Sequence, residues 1–190
     1  MERAETIIRV CNALDSGDMK AARSIARAEW PFEPVIAKPR KMSGRQLMAI
    51  WQRDGFVDRY FGTRLIYPGA LRLLARLMPE EFPYHRNGRA DCCHFVHWEL
   101  YPSHDHVVPL ARGGVDGPDN VVTTSMLRNQ VKANWLLDEI GWSLQPPGNI
   151  REWDGLTRWF LGAVERYADV LAQDSGLKKW VLLARTAAGR

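Results

Sequence analysis

The stretch HDHVVPLARGGVDGPDNVVTTSMLRNQVKANW, residues His104 to Trp135, decides the fold. After Pro109, the run Ala-Arg-Gly-Gly-Val-Asp-Gly-Pro-Asp is dense in turn formers. Asn120-Val-Val-Thr is β-prone, and apolar residues then recur at helical spacing, predicting a helix from about Ser125 to Glu139. Just upstream, His94 to Tyr101 is rich in aromatic and β-branched residues, which predicts a strand entering the same unit. The order is therefore strand, loop, strand, helix. All five histidines lie between His85 and His106, which concentrates titratable chemistry there.

Asp105-His106 is followed by Pro109, Gly113-Gly114, Asn120, Asn129 and Lys132, with Asn120 14 residues and Asn129 23 residues after His106. This spacing resembles the HNH endonuclease family, whose core runs Asp-His, Pro, a Gly-rich turn, a central Asn, and a final Asn or His with Lys three residues on. Upstream, Arg53-Asp-Gly-Phe-Val-Asp-Arg-Tyr-Phe-Gly62 resembles, more weakly, the hairpin in which many members carry a cysteine pair. Asp58 and Phe61 stand at those cysteine positions, and the second pair would fall near Ser125 and Arg128. The resemblance implies a ββα-metal fold in which the structural zinc has been lost and side-chain packing, helped by eight tryptophans, replaces it. It covers about 30 residues strongly and roughly 10 more weakly.

The implied activity is hydrolysis of DNA phosphodiester bonds, which needs charge stabilisation on phosphoryl oxygens and a deprotonated water in line with the scissile bond. Asp105 and Asn129 carry hard oxygens suited to one Mg²⁺ or Mn²⁺, and the resemblance makes them the metal ligands. His106 is the expected general base. By the same resemblance Asn120 bonds a backbone group across the hairpin and orients the loop after His106. Asn129 and Lys132, three residues apart, share a helix face, while Leu127, Val131 and Trp135 are expected on the core side, so Lys132 reaches a phosphate. Neighbours in a regular strand point to opposite faces, so β structure has to bend at Asp105 and His106 for both to serve one site.

Working outward, Ala4 to Leu14 and Met19 to Trp30 read as two helices, with Asp15-Ser-Gly-Asp18 as turn and cap. Pro31 to Gly44 contains three prolines and reads as an extended connector whose basic end, Lys38 to Lys41, either touches phosphate or is solvated. Ser43 caps a helix through Trp51, and another runs from Tyr67 to about Met78. Two further helices are expected at about Trp153 to Ala172 and Ser175 to Ala187. The expected fold class is α+β, mostly helical, with a small ββα-metal core between helical additions: residues 1–44 an N-terminal helical extension and basic linker, 45–145 the nuclease core, and 146–190 C-terminal helices packed on it.

Other residues receive structural readings. His104 reads as an ordinary strand histidine; Cys92, Cys93, His94 and His97 as core packing, since adjacent cysteines make awkward zinc ligands; and Trp30, Trp51, Trp142, Trp153 and Trp159 as core. Glu99 and Arg112 face either substrate or solvent. Three cysteines argue against a disulfide framework, and without a long apolar run a cytoplasmic location and no membrane contact are expected. Net charge is +4, and the first 90 residues hold 16 Lys/Arg against 10 Asp/Glu, a balance that suits nucleic acid as partner. Restriction or defence is one setting open to such an enzyme, and a homodimer is one route to cutting two strands. The rival readings are a non-catalytic DNA-binding module and a structural partner in a larger assembly.

Overall fold

The computed structural model describes residues 3–32 and 42–188. It is mostly helical with one two-stranded antiparallel sheet, an α+β arrangement. Two units separate, Met1–Arg40 and Lys41–Arg190. The expected connector lies largely outside the described residues, and its basic end, Lys38 to Lys41, lies wholly outside them. Among the described residues no helix is long and apolar enough to cross a membrane.

In the first unit, α1 (Arg3–Asp15) packs on α2 (Met19–Glu29), and Asp18 caps α2 by accepting from the Ala21 amide at 2.9 Å. The pairing is partly polar. Thr6 Oγ1 donates to Glu29, which also pairs with Arg9, while Ile7 and Leu14 of the apolar repeat stay largely exposed. Trp30 is 47% exposed and so is not the core residue its composition suggested.

The core of the second unit is built by four helices: α3 (Gly44–Arg53), α4 (Pro68–Leu77), α7 (Thr157–Arg166) and α9 (Ser175–Ala188). A capping box joins Ser43 to Gln46 at the start of α3, and Pro68 opens α4, where its missing N–H costs no helical bond. Trp51, Phe56, Tyr67, Leu73, Phe160, Leu177 and Ala184 bury together, so the C-terminal helices complete the same core that α3 and α4 begin. The long helix expected from Trp153 divides at Tyr167 into α7 and α8 (Ala168–Gln173), and Trp159 is 37% exposed.

Three expectations near the sheet are corrected. His94 to Tyr101 holds a single helical turn, α5 (Val96–Glu99), and the strand β1 starts later, at Pro102–His106. The Val96 amide donates to His94 Nδ1 and the Leu100 amide to the Val96 carbonyl, so local capping and packing on the next helix override β preference. β2 (Val121–Ser125) pairs with β1 in the register Asp105↔Val122 and His106↔Val121. The following helix, α6 (Met126–Lys132), ends seven residues short of Glu139, because Ala133 adopts φ 45° and turns the chain aside. Its inward face is also not the expected one: Val131 and, beyond the helix, Trp135 are exposed and Leu127 is half-buried, whereas Lys132 has no exposed surface.

The segment before β1 is tied to β2 by two buried carboxylates. Asp54 accepts from Arg53, from Arg59 and from the Thr123 amide, the last at 2.7 Å. Burial works to raise its pKa, and the hydrogen bonds from Arg53 and Thr123 overcome that effect and hold it below the ordinary carboxylate value. A carboxyl depressed in the folded state contributes stability that is complete above the unfolded pKa of about 3.9 and is lost as pH falls through the folded value. Asp54→Asn is therefore expected to be less stable than wild type at about pH 6, yet to lose less on acidification below about pH 4, as read from urea midpoints. Identical acid slopes for the two proteins would contradict this account of Asp54.

Candidate active site

β1 ends on the residues that carry the candidate chemistry. Asp105 and His106 are both buried, in consecutive positions of a strand whose burial does not alternate at this end. Their side chains go to different partners. Asp105 Oδ2 accepts from the Tyr60 hydroxyl at 2.6 Å and from Lys132 Nζ at 2.8 Å. The His106 imidazole meets Asp116 Oδ1 through Nε2 at 2.9 Å.

α6 lies against the same strand end. Asn129 Nδ2 donates to Ser103 Oγ at 2.8 Å and to the His104 carbonyl at 3.0 Å, while Lys132 Nζ donates to the His106 carbonyl at 2.8 Å. Lys132 therefore does not extend outward towards a phosphate. A buried ammonium without partners would be costly, and here the Asp105 carboxylate and the His106 carbonyl supply them. The Tyr60 ring lies 5.9 Å from Nζ, adding its face to the same cage. Burial and the Asp105 charge push the Tyr60 hydroxyl far above its ordinary pKa, which keeps it a hydrogen-bond donor.

Asn120 bridges the loop between the strands. Its Oδ1 accepts from the Val108 amide, and its Nδ2 donates to the Val108 and Val115 carbonyls, each at 2.9 Å. One side chain thus satisfies three backbone groups and fixes the chain just after His106. Gly114 is required by the same packing, since a Cβ there would overlap the Val108 carbonyl oxygen and stand 2.9 Å from Asn120 Nδ2. Gly113 takes φ 85°, which a side chain disfavours.

The positions where the resemblance places two cysteine pairs come together. Asp58 is fully buried: its Oδ1 accepts from the Tyr60 and Phe61 amides, and its Oδ2 from Thr124 Oγ1, the Ser125 amide and Arg128 Nη1. The Arg128 guanidinium stacks 4.6 Å over Phe61, and Trp142 packs against both Phe61 and Tyr60. Packing is thus joined by a carboxylate that collects donors from both sides of the junction.

Among the described residues no group of three or more His, Cys, Asp or Glu side chains gathers as a metal site. Asp105 Oδ1 and Asn129 Oδ1 accept from no described residue, and no hydrogen bond links the two side chains. Two hard oxygens of this kind suit Mg²⁺, which keeps much of its water shell. Arg112, a candidate for substrate contact, pairs instead with Glu139 at 2.6 Å, and Glu99 is exposed.

Two residues at the site were missed from sequence. Tyr60 sits 45 positions before its partner Asp105, and its only signal was membership of the Arg53 to Gly62 stretch. Asp116 looked like an ordinary turn aspartate. No family model, no curated protein and no solved structure matches the chain.

Proposed function

We propose that the chain is a metal-dependent endonuclease of the HNH, or ββα-metal, type that hydrolyses DNA phosphodiester bonds. The observation that carries this reading is the seating of α6 on the end of β1, with Asn129 and Lys132 bonded to residues 103–106 while Asn120 pins the intervening loop. The junction of Asp58, Phe61, Ser125 and Arg128 supports it independently, because those four positions are separated by up to 70 residues in sequence.

His106 is the proposed base. A carboxylate accepts, so Asp116 fixes the proton on Nε2 and leaves the lone pair on Nδ1, the atom that would take a proton from water. Asp116 is then a positioning residue, as are Asn120 and Lys132. Tyr60 and Lys132 hold Asp105 through Oδ2 and leave Oδ1 for a ligand. Asp105 and Asn129 would hold Mg²⁺ or Mn²⁺, whose chemistry is to stabilise negative charge on the phosphoryl and leaving oxygens.

The Lys132 ion pair favours a second reading, a non-catalytic DNA-binding module, because it already neutralises Asp105. A plasmid-nicking assay on the full chain separates the two. Conversion of supercoiled to open-circular DNA with Mg²⁺ or Mn²⁺, and none with EDTA, is expected. DNA retention in gel shifts with no nicking in either metal would overturn the enzyme reading.

A further inference from the structure

Between α4, α5 and α9 lies a cavity of about 220 Å³, lined by none of the residues placed in the β1–α6 site. His97 lines it and is only 5% exposed, yet its Nε2 is buried with no hydrogen-bond partner. An orphaned polar atom of this kind is rare in a folded protein, because burial without a partner forfeits its hydration. The Phe82 backbone favours a proton on Nδ1, which leaves Nε2 as the acceptor.

The remaining lining defines what the acceptor awaits. Leu71 and Trp180 are apolar, and Tyr84 and Tyr101 add aromatic surface whose hydroxyls make no hydrogen bond to described residues. Tyr84 also meets the His97 ring edge to face at 5.0 Å. Arg72 contributes no free charge, for its guanidinium stacks on Tyr84 and pairs with Asp174 at 3.0 Å. Burial lowers the His97 pKa, so the imidazole stays neutral. An anion finds the His97 lone pair and an arginine already held by Asp174, a carboxylate that Arg76 also meets at 3.3 Å, and a cation finds no carboxylate among the lining residues. By volume, the space exceeds the engineered cavity of about 150 Å³ that holds benzene.

We infer that this cavity binds a neutral aromatic molecule of one or two rings carrying an N–H or O–H, with the ring against Tyr101 and Trp180 and the donor on His97 Nε2. The inference is independent of the nuclease reading, since none of its residues serves the β1–α6 site.

The test uses the full chain with phenol and indole as donor-bearing probes, benzene as the ring without a donor, and benzoate as the anion. Calorimetry or saturation-transfer NMR is expected to give saturable binding of phenol or indole with a Kd of about 1 mM or tighter. Benzene and benzoate should bind about tenfold more weakly, the effect of one unmade hydrogen bond. His97→Leu should lose about the same factor, with partial recovery in His97→Gln. In wild type, the His97 Nε2 resonance should move as phenol saturates, a readout that survives even if the Leu variant fails to fold. Water alone in the cavity, seen as no saturable binding of either donor-bearing probe, overturns the inference. So does equal affinity for phenol and benzene, or an unmoved His97 resonance at saturation.

Discussion

His106→Ala is expected to lower DNA cleavage by a factor of about 10²–10⁴ while leaving DNA binding within about twofold of wild type. That range is what a positioned acid or base ordinarily contributes to a proton transfer. Binding should survive because the imidazole makes its polar contact to Asp116, within the chain, and its role is confined to the transition state. Single-turnover nicking beside gel shifts in the same metal buffer measures both quantities. The neighbouring Asp116→Asn serves as an internal control: it keeps the shape but offers an amide in place of a full carboxylate, so a smaller loss is expected from a less firmly held ring. Undiminished nicking by the alanine variant would remove His106 from the chemistry. Equal losses of cleavage and binding would mean that it supports the loop alone.

Asp58→Ala is expected to cost roughly 3–5 kcal/mol of folding stability, the range seen when one partner of a buried ionic contact is removed. The figure follows from what is left behind. The Tyr60, Phe61 and Ser125 amides and the Thr124 hydroxyl would lose their acceptor, and Arg128 its counter-charge, where Asp58, Thr124 and Ser125 themselves have no exposed surface. Because whole domains are stable by only about 5–15 kcal/mol, a urea midpoint should fall steeply or the cooperative transition vanish. Arg128→Ala should cost less, since that side chain is 21% exposed and solvent replaces part of what it loses. A chelator should leave the wild-type midpoint unchanged, because the join is made by Asp58, Arg128 and the aromatic rings. A loss under about 1 kcal/mol for Asp58→Ala, or unfolding by chelator, would refute this view of the junction.

What a sequence of this kind makes legible is whatever is encoded over a few residues. Caps at Asp18, Ser43 and Ser125 bond amides only three positions on, and Pro68 marks a helix start by its own stereochemistry. The loop and β2 belong to the same class, since turn formers and the β-prone Asn120-Val-Val-Thr specify them, whereas β1, Pro-Ser-His-Asp-His, carries no such signal and was expected eight residues too early. The bridging role of Asn120 was implied by the resemblance, and both ends of each of its bonds lie within one hairpin.

Tertiary structure alone decided the direction of Lys132, the company of Asp105 and the mode of closure at Asp58. A lysine on a helix is ordinarily read as solvent-facing, and only a carboxylate 27 positions earlier in the chain makes its burial tolerable. Tyr60 finds Asp105 across 45 positions, and Asp58 finds Ser125 across 67. In each case the deciding interaction joins segments remote in sequence, where electrostatics and burial act only after the chain has folded them together.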